Sequence, residues 1–112
     1  HLTPRTRAVV ICHPSNPTGA RIAEADLREL VAACARHGVA LISDETYMHF
    51  TGDEASRHVS AASVPGWRES VVLVSSCSKN WGVPGWRVGY LAAERRVIEQ
   101  ALKAHDTMVI CA

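Results

Sequence analysis

Side-chain amines are scarce here: the twelve basic residues are all arginine except Lys79 and Lys103, so chemistry needing a titratable amine has two candidates. Aromatic residues are few as well, at 5%, which argues against a base-stacking platform for nucleic acid. A formal net charge of +1 gives no electrostatic pull toward nucleic acid or an anionic membrane. No apolar run is long enough to cross a bilayer. The opening His1-Leu2-Thr3-Pro4-Arg5 has neither an initiator Met nor the apolar stretch of a signal peptide. Cys12, Cys34, Cys77 and Cys111 are irregularly spaced, and no pair makes a C-x-x-C unit. They read as reduced thiols of an intracellular, cytoplasmic protein, mostly small core fillers. Cys34 and His37 stand one helical turn apart, but no second pair accompanies them, so no metal is expected.

What remains is an ordinary globular composition, 47% hydrophobic and 21% charged over 112 residues, enough for a small core. Both ends read as cut. The final Met108-Val109-Ile110-Cys111-Ala112 is apolar and would need covering. Residues 8–12 form a short β-branched run that suits a buried strand, followed by a turn-rich loop over 13–19. Over 24–36, Leu27, Leu30, Val31 and Cys34 fall on one helical stripe. Glu24 and Asp26 suit its N-terminus, Arg36 and His37 its C-terminus, and Gly38 its stop. Runs at 39–43 and 71–74 are continuous rather than alternating, as in strands buried on both faces. A further strand is expected over 87–92. A helix is expected from 94 to about 106, with Val97, Ile98, Ala101 and Leu102 inward. Residues 50–66 read as loop with a short helical piece.

This order predicts an α/β fold, a mostly parallel sheet with helices on both faces. Ligands of such sheets gather outside the carboxyl ends of the strands, where the polar clusters lie: Asn16 after the first strand, Asp44 after the second, Ser76 and Lys79 after the third. A lone Lys, an Asp, a Tyr, an Asn and an Arg meeting there match the needs of pyridoxal phosphate. That cofactor requires an amine for its aldehyde, a carboxylate for its ring nitrogen, donors for its phenolate oxygen, and cations or hydroxyls for its phosphate.

The same residues carry a family resemblance. Asn16-Pro17-Thr18-Gly19, Asp44-Glu45-Thr46-Tyr47, and Ser76-Cys77-Ser78-Lys79 followed by Pro84-Gly85-Trp86-Arg87-Val88-Gly89-Tyr90 resemble the class I/II aminotransferases, the aspartate aminotransferase superfamily. Three motifs in the family's order cover nearly the whole chain. The resemblance implies that residues 1–112 are part of the large, cofactor-binding domain, with the small domain and the N-terminal half absent. It implies that Lys79 holds pyridoxal 5'-phosphate covalently and then moves a proton, a role needing a neutral amine that burial and a nearby Arg87 would favour. By the same correspondence, Asp44 pairs with the ring nitrogen, Tyr47 and Asn16 donate to the phenolate oxygen, and Ser76 and Arg87 hold the phosphate, with Ser78 assisting.

The activity so implied is transfer of an amino group from an amino acid to a 2-oxo acid, by a homodimer whose subunits complete each other's sites. The family's upstream Gly-rich turn, its ring-stacking aromatic residue and its substrate-carboxylate Arg have no counterpart in this chain, so these residues alone are expected not to sustain catalysis. Two alternatives use the same scaffold. One is a lyase for β-elimination or carbon–sulfur cleavage, whose members tend to lack the PGWR-like segment. The other is the sensing domain of a transcription regulator, which usually departs from N-P-T-G and D-x-x-Y. Outside the motifs, Glu45 is expected to point away from the cofactor. His13, His49 and His58 read as loop residues without partners, Trp86 and Tyr90 as packing, and Cys77 as filler.

Overall fold

The stripe Leu27, Val31 and Cys34 is fully buried on helix α1 (Glu24–His37). Its first turn carries Glu24 and Asp26, and no side chain caps Ala23. It stops at Gly38, whose left-handed φ of 62° lets its N–H reach Ala35 O while Val39 N–H reaches Cys34 O. In the computed structural model, which describes residues 2–52 and 57–109, α1 links two strands of a single sheet. The strands are β1 (Ala8–Cys12), β2 (Ala40–Asp44), β3 (Val71–Ser76) and β4 (Gly89–Ala92), in that spatial order. The first three run parallel and β4 pairs antiparallel to β3. The mostly parallel α/β sheet is therefore the one expected.

Burial on both faces, expected from the continuous apolar runs, is not what the strands show. Burial alternates along β2 and β3, with Leu41, Ser43, Val71, Leu73 and Ser75 inside and their neighbours half-buried. Leu41, Val71 and Leu73 meet α1, Ala61 and Val64 in one core, each such aliphatic side chain contributing about 1.5–3 kcal/mol on full burial. On the other face Val10 is 69% exposed. The physical reason is a missing layer. Among the described residues the sheet is covered on one face, by α1 and the 3-10 turns Ala61–Ser63 and Trp67–Glu69.

Helix α3 (Arg95–Met108) begins at Glu94, whose carboxylate accepts from Arg96 N–H. It buries none of its side chains. Val97, Ile98, Ala101 and Leu102 were expected inward, yet Leu102 is 60% exposed. Their stripe is present but only partly covered: Ile98 and Ala101 are half-buried, while Val97 and Leu102 are exposed. Met108 and Val109 are likewise exposed, and Ile110, Cys111 and Ala112 lie outside the described residues. No described helix is long and apolar enough to cross a membrane.

Two local features place the site. Between β3 and β4 the chain forms a single helical turn, α2 (Cys77–Asn80), and a 3-10 turn at Pro84–Trp86. Lys79 therefore rides on a helical turn that follows β3 directly. β4 starts at Gly89 instead of residue 87 because Arg87 takes left-handed dihedrals, φ 53° and ψ 38°. Gly89 is itself required: a Cβ there would stand 2.7 Å from Ser75 O. We predict that Gly89→Ala pries β4 from the end of β3, at a cost of about 1–3 kcal/mol. The denaturant midpoint of the full-length protein reads this, and an unchanged midpoint would show that the strands separate freely.

Candidate active site

Asp44 and Ser76 end β2 and β3, and Asn16 lies in the loop after β1, so all three gather at one carboxyl edge of the sheet. Register decides which way they face. Cys12 pairs with Asp44 and Asp44 with Val74, so Asp44, Val74 and Ser76 share the open face, while Ser43 and Glu45 turn to the α1 side. Asn16 Nδ2 donates to Tyr47 Oη at 3.1 Å. Two motifs 31 residues apart are thereby joined. Phe50 meets the Tyr47 ring edge-on at 5.7 Å between centroids. One Asp44 oxygen accepts Thr46 N–H at 3.0 Å, and Ser76 Oγ accepts Ser78 N–H at 3.1 Å.

Some predicted residues are not joined to the others. Lys79 is exposed, not buried, and its ammonium has no hydrogen bond or ion pair among the described residues. Arg87 donates from Nη1 to Pro84 O at 3.0 Å and is exposed. Its left-handed backbone costs a non-glycine residue about 1–2 kcal/mol. Trp86 and Tyr90, expected as packing, are exposed, Tyr90 reaching only the Met48 sulfur at 3.9 Å. Cys12, expected as filler, is exposed too, whereas Cys34 is buried, which raises its thiol pKa. Among the described residues no group of three or more His, Cys, Asp or Glu could hold a metal ion.

The unused bonding capacity of this edge fits pyridoxal phosphate. Tyr47 accepts from Asn16, so its own proton is free for a phenolate oxygen. Ser76 accepts from a backbone N–H, so its proton is free for a phosphate. Asp44 keeps its second oxygen for a ring N–H, and the Lys79 amine has no competing partner.

Sequence reasoning missed the cluster behind the edge. Glu45 turns to the α1 side, opposite Asp44, where it is 0% exposed. Its carboxylate accepts from His58 Nε2 at 2.7 Å, Ala61 N–H at 2.9 Å and Ser43 Oγ at 3.0 Å. His13 is buried, its Nδ1 accepting Ile22 N–H at 3.0 Å and its Nε2 donating to Val59 O at 3.2 Å. The His13 and His58 rings lie 4.6 Å apart. Neither histidine is the unpartnered loop residue expected; His49 is exposed. Alternation from Ser43 could have placed Glu45 inside, but nothing in the sequence pairs His13 with residues 46 positions away.

Burial and the neighbouring His58 hold the His13 imidazole below its ordinary value of 6.5, against the pull of the Val59 carbonyl and Glu45. Burial alone would raise the Glu45 carboxyl, but donors from His58, Ala61 and Ser60 outweigh it and hold it below 4.5. In both cases the unfolded chain binds the proton first as pH falls, so acid destabilises. The His13 contribution is full above 6.5 and is lost as pH falls through its lower folded value; the Glu45 contribution is full above 4.5 and is lost below that. We predict a fall in denaturant midpoint beginning near pH 6.5 that His13→Gln removes. A His13→Gln protein retaining that first step would contradict the assignment.

The family model for aminotransferase class I and II matches residues 1–112. The chain is 38% identical over 103 residues to an aspartate aminotransferase of Pyrococcus abyssi, covering 92% of this chain and 26% of that protein. Among solved structures, the aromatic aminotransferase of Pyrococcus horikoshii superposes with a TM-score of 0.87 at 39% identity, over 96% of this chain and 28% of that one. The Thermus thermophilus aspartate aminotransferase with maleate gives 0.79 at 35% identity, over 88% and 25%. The chain thus spans about a quarter of the length of the relatives it matches. With a family model along its full length and relatives above 30% identity, this chain belongs to the class I and II aminotransferases.

Proposed function

We propose that the protein carrying this chain transfers an amino group from an amino acid to a 2-oxo acid, using pyridoxal 5'-phosphate held at the carboxyl edge of the sheet. The observation that carries the proposal is the Asn16–Tyr47 bond, 3.1 Å long, at the strand ends that also bear Asp44 and Ser76. Pyridoxal phosphate supplies an electron sink for the negative charge left at a substrate Cα once its proton departs.

The chain's own residues do the rest. Asp44 holds a proton on the ring nitrogen, which keeps the ring electron-poor. Tyr47 and Asn16 would donate to the phenolate oxygen and so orient the ring. Ser76, Ser78 and Arg87 bind the phosphate, Arg87 through the guanidinium N–H groups that Pro84 O leaves free. Lys79 Nζ would hold the cofactor aldehyde and, as a free amine, would accept the proton that leaves the substrate Cα. The proposal extends to a homodimer in the cytoplasm, supported by the family resemblance and by the unpaired thiols Cys12, Cys34 and Cys77.

The test is a visible spectrum of the full-length protein with pyridoxal phosphate, followed by half-reactions with a panel of amino acids. A cofactor band discharged by at least one amino acid and restored by a 2-oxo acid is expected. A protein that forms no such band, or whose band drives elimination to ammonia and a 2-oxo acid, overturns amino transfer.

A further inference from the structure

We propose that the buried Glu45–His58–His13 cluster is the positioning device of this edge, locking the loop that carries Asn16 and the strand end that carries Asp44 and Tyr47 into one rigid block. This rests on the cofactor reading above and concerns residues that touch neither cofactor nor substrate.

The connections run through three segments. Glu45 sits between Asp44 and Thr46, so its peptide planes also aim the Asp44 side chain. Its backbone is held by Val74 O at 2.9 Å and its carbonyl by Met48 N–H at 3.0 Å, closing the turn that presents Tyr47. The side chain is held from the other side by Ala61 N–H, Ser43 and His58. Asp44 and Glu45 point to opposite faces, so the α1-side clamp on Glu45 works as a lever on the open-face carboxylate.

His13 extends the block to the Asn16 loop. Its N–H bonds Asp44 O at 2.9 Å, continuing the ladder one step past β1. Its ring spans from Ile22 N–H to Val59 O, closing both ends of the loop that contains Asn16. Within that loop Ser15 N–H bonds Ala20 O and Gly19 N–H bonds Ser15 O. His58 then packs against His13, the rings tilted by 48°, and bonds Glu45. The Asn16–Tyr47 bond therefore joins two arms, one next to Glu45 in sequence and the other resting on its partner His58 through the His13 ring.

Cohesion alone does not account for the chemistry of this cluster. A buried carboxylate needs every donor it has, and the buried His58 Nδ1 has no partner among the described residues. Apolar side chains of similar volume would fill the space without either cost. What a hydrogen-bonded cluster adds is direction: each bond fixes an angle as well as a distance.

The test uses the full-length holoenzyme with Glu45→Ala, Glu45→Gln and His58→Gln, and with Leu27→Ala as a control that weakens the core away from the cluster. Two readouts are taken: the rate of cofactor release after dilution, and the pH midpoint of the bound cofactor's visible band. Glu45→Ala is expected to speed release by about 10–100-fold, by analogy with losing a residue that orients a ligand, and to move the midpoint. Glu45→Gln keeps an acceptor for Ala61 N–H and recovers most of the effect, and His58→Gln falls between. Leu27→Ala lowers Tm and leaves both readouts at the wild-type value. Should Glu45→Ala fail to fold, Glu45→Gln and His58→Gln decide by the same readouts. Variants that lose Tm but release cofactor and titrate like the wild type overturn the positioning role while leaving the cofactor site intact. A wild-type protein with no cofactor band overturns the underlying reading and this inference together.

Discussion

Lys79→Ala in the full-length holoenzyme is expected to remove both the visible band of covalently held cofactor and amino transfer. Loss of the proton-moving amine alone lowers the rate by about 10²–10⁴-fold, and loss of the covalent anchor adds to that. The size of the effect follows from how few amines the chain has. Lys103, the other one, lies on α3 with its ammonium 3.4 Å from Gln100 Oε1, exposed and on a helix that buries no side chain. It cannot stand in for a residue on α2. Lys103→Ala should therefore leave the spectrum and the rate unchanged. Lys79→Arg should be as inactive as Lys79→Ala, because a guanidinium stays protonated throughout the working pH range. The checks are an absorption spectrum and single-turnover half-reactions. Persistence of the band in Lys79→Ala would place the covalent attachment elsewhere.

The contrast between Lys79 and Glu45 shows how far the sequence could be read. Residues at strand ends were legible because short apolar runs locate the ends and turn residues mark the loops that follow. Asn16, Asp44 and Ser76 needed only that much to be set on one edge. Helix α1 was legible through its 3.6-residue stripe and the glycine that stops it. The burial of the sheet was not, because a continuous apolar run says that a strand can be covered on both faces, not that the covering elements lie within these residues; Val10 and Leu102 are the result. His13 and His58 were illegible for a different reason. A histidine carries no periodic signal, and its partners are set by tertiary folding: Val59 lies 46 residues from His13, and Glu45 lies 13 from His58. Only the alternation from Ser43 to Glu45 hinted that an acid had been turned inward.

Asp44→Asn isolates the second large effect, because it removes one charge and little else. Asn keeps an oxygen for Thr46 N–H, the bond that Asp44 makes at 3.0 Å, and that bond is worth only about 0.5–1.5 kcal/mol net. Tm should hence change little. The rate should not be spared. A neutral amide cannot keep a proton on the ring nitrogen, and a neutral ring is a poorer sink for the charge left at Cα. A loss of about 10²–10³-fold in the rate of proton removal is expected, the scale of deleting one preorganised electrostatic group. The loss should appear in single-turnover rate constants rather than in the affinity for amino acid, since Asp44 is proposed to act on the ring nitrogen and not on substrate. Asp44→Glu tests geometry in turn: the charge returns, but the longer side chain on the same rigid strand end overshoots by one methylene. Recovery by Glu short of wild type would show that both the charge and the direction given by β2 matter. An Asn variant as fast as the wild type would remove Asp44 from the site altogether.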